Sequence, residues 1–171
     1  MNADELRAIQ APLKAKYRED AGAGVVTLKA EGALDQGHLA CRVETGRALV
    51  EAGLHPASGG GGLQACSGDM LLQALVAWAG VTLSAVATAL GITLTTATVR
   101  AEGDLDFRGT LGVDRAAAVG FSAIRLGFEV ASEASDEQLA NLLRLTERYC
   151  VVMQTLAAAP ALSATIERSF Q

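Results

Sequence analysis

Aromatic side chains make up only 4% of this 171-residue chain, and a single tryptophan is among them. A core with so few rings has to be assembled from Ala, Val and Leu, whose small size lets elements approach closely. Charged residues are also sparse, at 19%, and they occur without acidic or basic blocks. With a net charge of −5, this excludes a nucleic-acid groove and attraction to an anionic membrane surface. Cysteine is limited to three positions, an odd number without the spacing of a disulfide framework. No basic-then-apolar leader precedes them, so the expectation is a cytoplasmic protein with free thiols. The two histidines, His38 and His55, have no metal-ligand spacing with each other or with a cysteine. Neither a metal nor a cofactor is therefore expected. Ser67, Ser84 and the nearby threonines lack a His/Asp arrangement, which leaves hydrolase chemistry unsupported.

What the chain does have is apolar length. Half of its residues are hydrophobic, enough for one domain over 1–171 with a helical extension at 1–22. Asn2 suits the start of that extension, Leu6, Ile9 and Leu13 recur at helical spacing, and Pro12 interrupts it. Period-two alternation then predicts strands at 25–31, around Leu39–Thr45 and over Arg47–Ala52, with a turn at Asp35-Gln36-Gly37. The run Gly59-Gly60-Gly61-Gly62 is a loop, and no Walker lysine or GxGxxG accompanies it to cradle phosphate.

Met70 to Val99 contains no charged residue and passes a length test for a membrane span. Its Gly, Ser, Thr and Ala content and its lack of flanking Lys/Arg clusters favour a helix buried in a protein core, running from an N-cap at Ser67 to a stop at Gly91. Because nearly every side of it is apolar, it needs protein on most of its faces. Strands follow at about Thr93–Phe107 and Phe121–Val130, with a loop at Arg108–Gly120 between them. Ser135-Asp136-Glu137-Gln138 reads as a capping box opening a helix with Leu139, Leu142, Leu143 and Thr146 on one face. A helical turn at Tyr149–Ala159 stops at Pro160, and Leu162, Ala164 and Ile166 alternate in an expected final strand. The fold class is α+β.

Three phrases carry a resemblance. "SGDMLLQALVAWAGVTLSAVATALGI", "VRAEGDLDFRGTLG" and "LRLTERYCVV" are similar to the central helix, the following strand and the second-cysteine segment of the OsmC/Ohr family. The resemblance implies antiparallel sheets around a long central helix, an intertwined homodimer with its active sites at the interface, and a two-cysteine peroxidase. In such an enzyme a thiolate attacks the peroxide, becomes a sulfenic acid and is resolved as a disulfide. Carried over, Cys150 matches the resolving cysteine, with Val151 in place of the family's proline, and Asp69 stands at the helix-start carboxylate. The supporting arginine is Arg42 or Arg47. The attacking-cysteine position is Trp78, and an indole cannot attack a peroxide.

Cys66 is the substitute thiol, placed just ahead of the helix where the macrodipole favours a thiolate; its other reading is a small buried hydrophobe. Cys41 reads as core. Two functions follow. One is thiol-dependent reduction of hydroperoxides, consuming a thiol or dithiol reductant, in oxidative-stress defence. The other is a catalytically degenerate dimer in which Trp78 fills the thiol pocket and an apolar or acyl ligand, or a purely structural role, takes over.

Overall fold

The computed structural model describes residues 2–5, 8, 10, 11, 15, 19, 32–35, 40–44, 49–112 and 114–168, of which 32–49 are described in backbone only. Helical positions at 3–5, 8, 10, 11, 15 and 19 agree with the expected N-terminal helix, while Pro12 lies outside the described residues. The expected strand at 25–31 also lies outside them.

The described chain runs β1 (Gly32–Asp35), β2 (Ala40–Glu44), β3 (Leu49–Gly53), a 3-10 turn (Pro56–Ser58), β4 (Ala65–Cys66), α1 (Ser67–Leu90), β5 (Thr96–Leu105), α2 (Phe107–Thr110), β6 (Phe121–Ala131), α3 (Asp136–Tyr149) and α4 (Val151–Ala157). Strands β1 to β4 form one sheet in chain order, and β5 and β6 form a second. The pairs β1–β2, β2–β3 and β5–β6 are antiparallel; β3 and β4 run parallel through Ala52↔Ala65 and Gly53↔Cys66. Two residues are too short to show a period, so β4 left no trace in the pattern.

Helix α1 is the axis of the molecule. Asp69 lies in its first turn, where the positive end of the helix dipole favours it. Gly91 ends it at φ 70°, its N–H reaching the Ala87 and Thr88 carbonyls in a turn that glycine adopts without strain. The N-cap is Cys66 rather than Ser67, and its side chain makes no capping bond. The extended stretch ends with β4 at Cys66, so the helix begins one residue earlier than expected and Ser67 is its first helical residue.

The expectation that α1 is enclosed holds for one face of a single protomer. Leu75, Ala79, Thr82, Leu83 and Ala87 are buried, recurring at helical spacing against β5, β6, α3 and α4. On the other side Trp78 and Val81 are exposed. The Ser67–Leu90 helix is long and apolar enough to cross a membrane by length and composition, with 28% of its most apolar window buried.

Arm α3 opens with the expected capping box: the Ser135 side chain accepts from the Gln138 N–H at 3.3 Å, and Gln138 Oε1 accepts from the Ser135 N–H at 2.9 Å. Leu142 and Thr146 face the core, and Leu139 packs at its margin. Leu143, at 42% exposure, turns out of that face because it lies 100° from Leu142.

Two expectations fail. Within the predicted loop 108–120 the chain makes the short helix α2, capped by the Asp106 side chain accepting from the Arg108 N–H. The final strand at 162–166 does not form: residues 159–168 have no regular structure, and Leu162 and Ile166 are 88% and 99% exposed. A strand needs a neighbour for its N–H and C=O groups, and within this protomer that segment has none among the described residues.

Candidate functional site

The N-terminal half of α1 separates two environments. On its buried side Cys150 packs with Leu75 and Ala79, bordered by Val99, Ala101, Ile124, Leu126, Val152 and Met153, and has no exposed surface. Cys150 is held there because it is the joint of two helices. It ends α3, donating its N–H to the Thr146 carbonyl, and it begins α4, its carbonyl accepting from the Gln154 N–H. Val151, where the family has proline, is the first residue of α4, a position proline also suits, so the joint forms without it.

On the open side Asp69, Leu72, Gln73, Val76 and Ala77 meet Ala101 of β5 around a shallow cavity of about 400 Å³. Trp78 follows Ala77 in the chain but does not line that cavity, and 41% of its surface is exposed. One residue advances the helix by about 100°, which puts the indole beside the Leu75–Ala79 seat of Cys150 and at the same height. Position 78 and Cys150 are thus brought to one level of the fold.

Cys66 is not. Leu75 lies nine residues beyond Cys66 in sequence, about 14 Å along the axis, whereas a disulfide needs Cα atoms within about 7 Å. Cys66 is partly buried, its sulfur near Gly68, whose Cα region also meets the Phe121 ring. Asp69 is exposed and makes no ion pair with any described residue. Arg42 sits in β2 opposite Glu51 and Ala33 in register, with its side chain outside the described residues; Arg47 and His38 lie wholly outside them. Cys41 is in β2 opposite Ala52 and Leu34, again in backbone only. Among the described residues no three His, Cys, Asp or Glu side chains cluster as a metal site.

Among the described residues, this arrangement has a carboxylate, an exposed indole and a sealed thiol, where a two-cysteine peroxidase needs an open thiolate with a cation beside it. Gln73 and Asp69 offer polar contact at the rim of the cavity, and the exposed indole offers apolar and stacking contact on another flank of α1.

Sequence reasoning passed over two features. His55 stacks on Phe107 with ring centroids 4.8 Å apart, and its Nδ1 accepts the Ala57 N–H at 3.0 Å, tying the glycine loop to α2. On the outer face of β5–β6, Arg125 pairs with Asp104 and Glu102, and Arg100 with Glu129 at 2.7 Å. The Asp104 carboxyl is held below its ordinary range by hydrogen bonds from Arg125, and Asp106 likewise by Arg108. The signal was present in Arg100, Glu102 and Asp104 occupying alternate positions.

Several solved structures share this architecture. An OsmC-like protein from Mycoplasma pneumoniae superimposes with a TM-score of 0.61 at 19% identity, over 78% of this chain and 89% of its own. An organic hydroperoxide resistance protein OsmC from Legionella pneumophila gives 0.61 at 14%, over 79% and 92%. The organic hydroperoxide resistance protein OhrB of Bacillus subtilis gives 0.54 at 15%, over 78% and 93%. At such identities the likeness is one of fold. No curated protein matches the sequence. The family model described as OsmC-like protein matches residues 59–165, which begins at the glycine loop and takes in α1, both β5 and β6, and the Cys150 joint. With more than half of its length so matched, the chain belongs to the OsmC family.

Proposed function

We propose that this chain serves peroxide-related stress defence in the cytoplasm as a homodimeric OsmC protein that binds small apolar molecules in the cavity between α1 and β5 and does not run a two-thiol peroxidase cycle. The observation that carries the reading is the indole at position 78, set at the level of a Cys150 that has no exposed surface. A disulfide relay needs two sulfurs within bonding reach, and the thiol nearest Cys150 in the family pattern is missing. The open cavity at Asp69, Gln73 and Ala77 gives an apolar surface with a polar rim, the usual make-up of a small-molecule site. A second copy of the chain laid against the exposed Trp78–Val81 face would cover the indole.

The second reading is single-thiol reduction of hydroperoxides at Cys150, favoured by the height that Cys150 shares with position 78. There the thiolate would take the terminal peroxide oxygen and release the alcohol; one external thiol would then condense with the sulfenic acid to a mixed disulfide and water, and a second would free the Cys150 thiol, leaving with the first as a disulfide. Turnover of cumene hydroperoxide with dithiothreitol separates the two. The binding reading expects no turnover by the wild type and a gain on Trp78→Cys. Turnover by the wild type that vanishes on Cys150→Ser overturns it, and turnover that vanishes only on Cys66→Ser points to the helix-start thiol. No turnover by a folded Trp78→Cys variant shows that Asp69 and an arginine are not set as in the family.

A further inference from the structure

Between β3 and β4 the chain has little of its own to hold it closed. Positions 53 to 62 contain Gly53 and the run Gly59 to Gly62, and no Asp, Glu, Lys or Arg. Glycine loses the most conformational freedom on ordering, so such a segment closes only where something fastens it. His55 does so. Its carbonyl accepts from the N–H groups of Ser58 at 2.8 Å and Gly60 at 3.1 Å, and from the Ser58 hydroxyl at 2.9 Å. Its Nδ1 accepts the Ala57 N–H at 3.0 Å, and its ring lies on that of Phe107 in α2 with centroids 4.8 Å apart and planes at 22°. The loop is drawn in closely, since a Cβ at position 60 would overlap the Leu54 carbonyl oxygen.

An imidazole nitrogen that accepts a hydrogen bond carries no proton, so the closed loop holds the ring neutral with its one proton on Nε2. A second proton has to go to Nδ1, which then becomes a donor aimed at the Ala57 N–H. Two N–H groups cannot share that place, and the ring must turn out of the cap. Among the described residues the surrounding charges are already engaged. On β3, Glu51 accepts the Gln64 amide at 2.9 Å. On α2 and the turn after it the charged groups are Asp106, Arg108, Asp114 and Arg115, and Arg108 pairs with both carboxylates, at 2.6 Å and 3.5 Å. The Phe107 face attracts an imidazolium, but it offers Nδ1 no acceptor in the capping position.

We infer that His55 is a proton-released latch: its neutral ring fastens residues 56–62 against α2, and protonation of Nδ1 frees them. The freed loop is the connection that leads through Leu63 and Gln64 into β4 and the start of α1, so the open state gives slack to the segment just ahead of Asp69. β4 is held by only two pairings, Ala52↔Ala65 and Gly53↔Cys66, which makes it the part of the sheet that such slack reaches first. Only the open loop takes the second proton, so acid favours opening and neutral solution favours closure. A solvated imidazole titrates at about pH 6.5, and on that basis the ratio of open to closed loop rises about tenfold between pH 7.5 and pH 5.5.

Hydrogen exchange on the full chain tests it, read at the Ala57, Ser58 and Gly60 amides at pH 7.5 and pH 5.5 and divided at each pH by the rates of an unstructured chain. In the wild type the protection of these amides should fall about tenfold on acidification and return when the pH is restored. His55→Asn keeps an acceptor for the Ala57 N–H and does not titrate, so its protection should change less than twofold. His55→Ala should be unprotected at both pH values. Wild-type protection that does not change with pH overturns the latch. An equal fall in the wild type and in His55→Asn also overturns it, because acid then acts through another group. His55→Ala as protected as the wild type at pH 7.5 shows that the ring does not fasten the loop. A further measurement uses the wild type alone: the Gly59 to Gly62 amide shifts and the His55 ring shift should follow one titration curve, and separate midpoints overturn the proposal even where a variant fails to fold.

Discussion

Trp78 is the only tryptophan, so its fluorescence reports on one place alone. Replacing it with alanine should weaken self-association, by an amount that follows from its exposure. A tryptophan side chain offers roughly 200 Å² of contact, and the 41% open in the protomer is then about 80 Å² that a second copy can cover. At about 25 cal/mol per Å², this is about 2 kcal/mol per protomer and about 4 kcal/mol for the pair. The dimer dissociation constant should rise by up to about a thousandfold, as an upper bound, because alanine keeps part of the contact. Sedimentation equilibrium of wild type and Trp78→Ala measures the constant. The wild-type emission maximum, followed on dilution, should move to the red as the indole returns to water. Equal constants for the two proteins, with an emission maximum that stays fixed through dissociation, would refute the assignment of this helix face to the interface.

Other outcomes can be checked singly. Leu75→Ala, which empties a 2%-exposed position beside Cys150, should cost about 2–5 kcal/mol in urea unfolding and expose the Cys150 thiol to reagent. Ser135→Ala removes one half of the capping box and should cost about 1 kcal/mol, with amide exchange rising first at Gln138. Because the folded Asp104 and Asp106 carboxyls titrate below their unfolded range, the stability they give is present above that range and drains away as pH falls through their folded values. Asp104→Asn should flatten the acid limb of a stability profile slightly, and added salt should shrink the difference, the pair being open to solvent. His55→Ala should speed proteolysis within 56–62 without altering the main unfolding transition, since the stack on Phe107 and the bond from Ala57 hold only that loop.

Elements long enough to show a period, or marked by a cap, could be read from the chain alone: α1 with its Gly91 stop, β5, β6, and α3 from its Ser135–Gln138 box. Each is specified locally. What could not be read depends on partners. Strand β4 has two residues and exists through Ala52 and Gly53. The 162–166 pattern does alternate, yet alternation supplies only a face, and a strand also requires an edge to join. At the site, Asp69 lies in the first turn of α1 and Cys150 at the end of α3, helix boundaries that the sequence marks locally. That Cys150 packs against Leu75 and Ala79, more than two helical turns beyond Cys66 in the same protomer, could not be read, since no spacing pattern tells where a residue some eighty positions later returns along the helix.

The single non-helical residue between α3 and α4 makes Cys150 a gauge of motion. Its sulfur can meet a thiol reagent only when α4 lifts from Leu75 and Ala79, so its modification rate, divided by that of an open thiol, gives the population of the lifted state. Bound ligand or bound neighbour would slow that clock in proportion to how firmly each clamps the joint. One thiol-labelling time course thus turns a sealed side chain into a reading of how tightly the protein is shut.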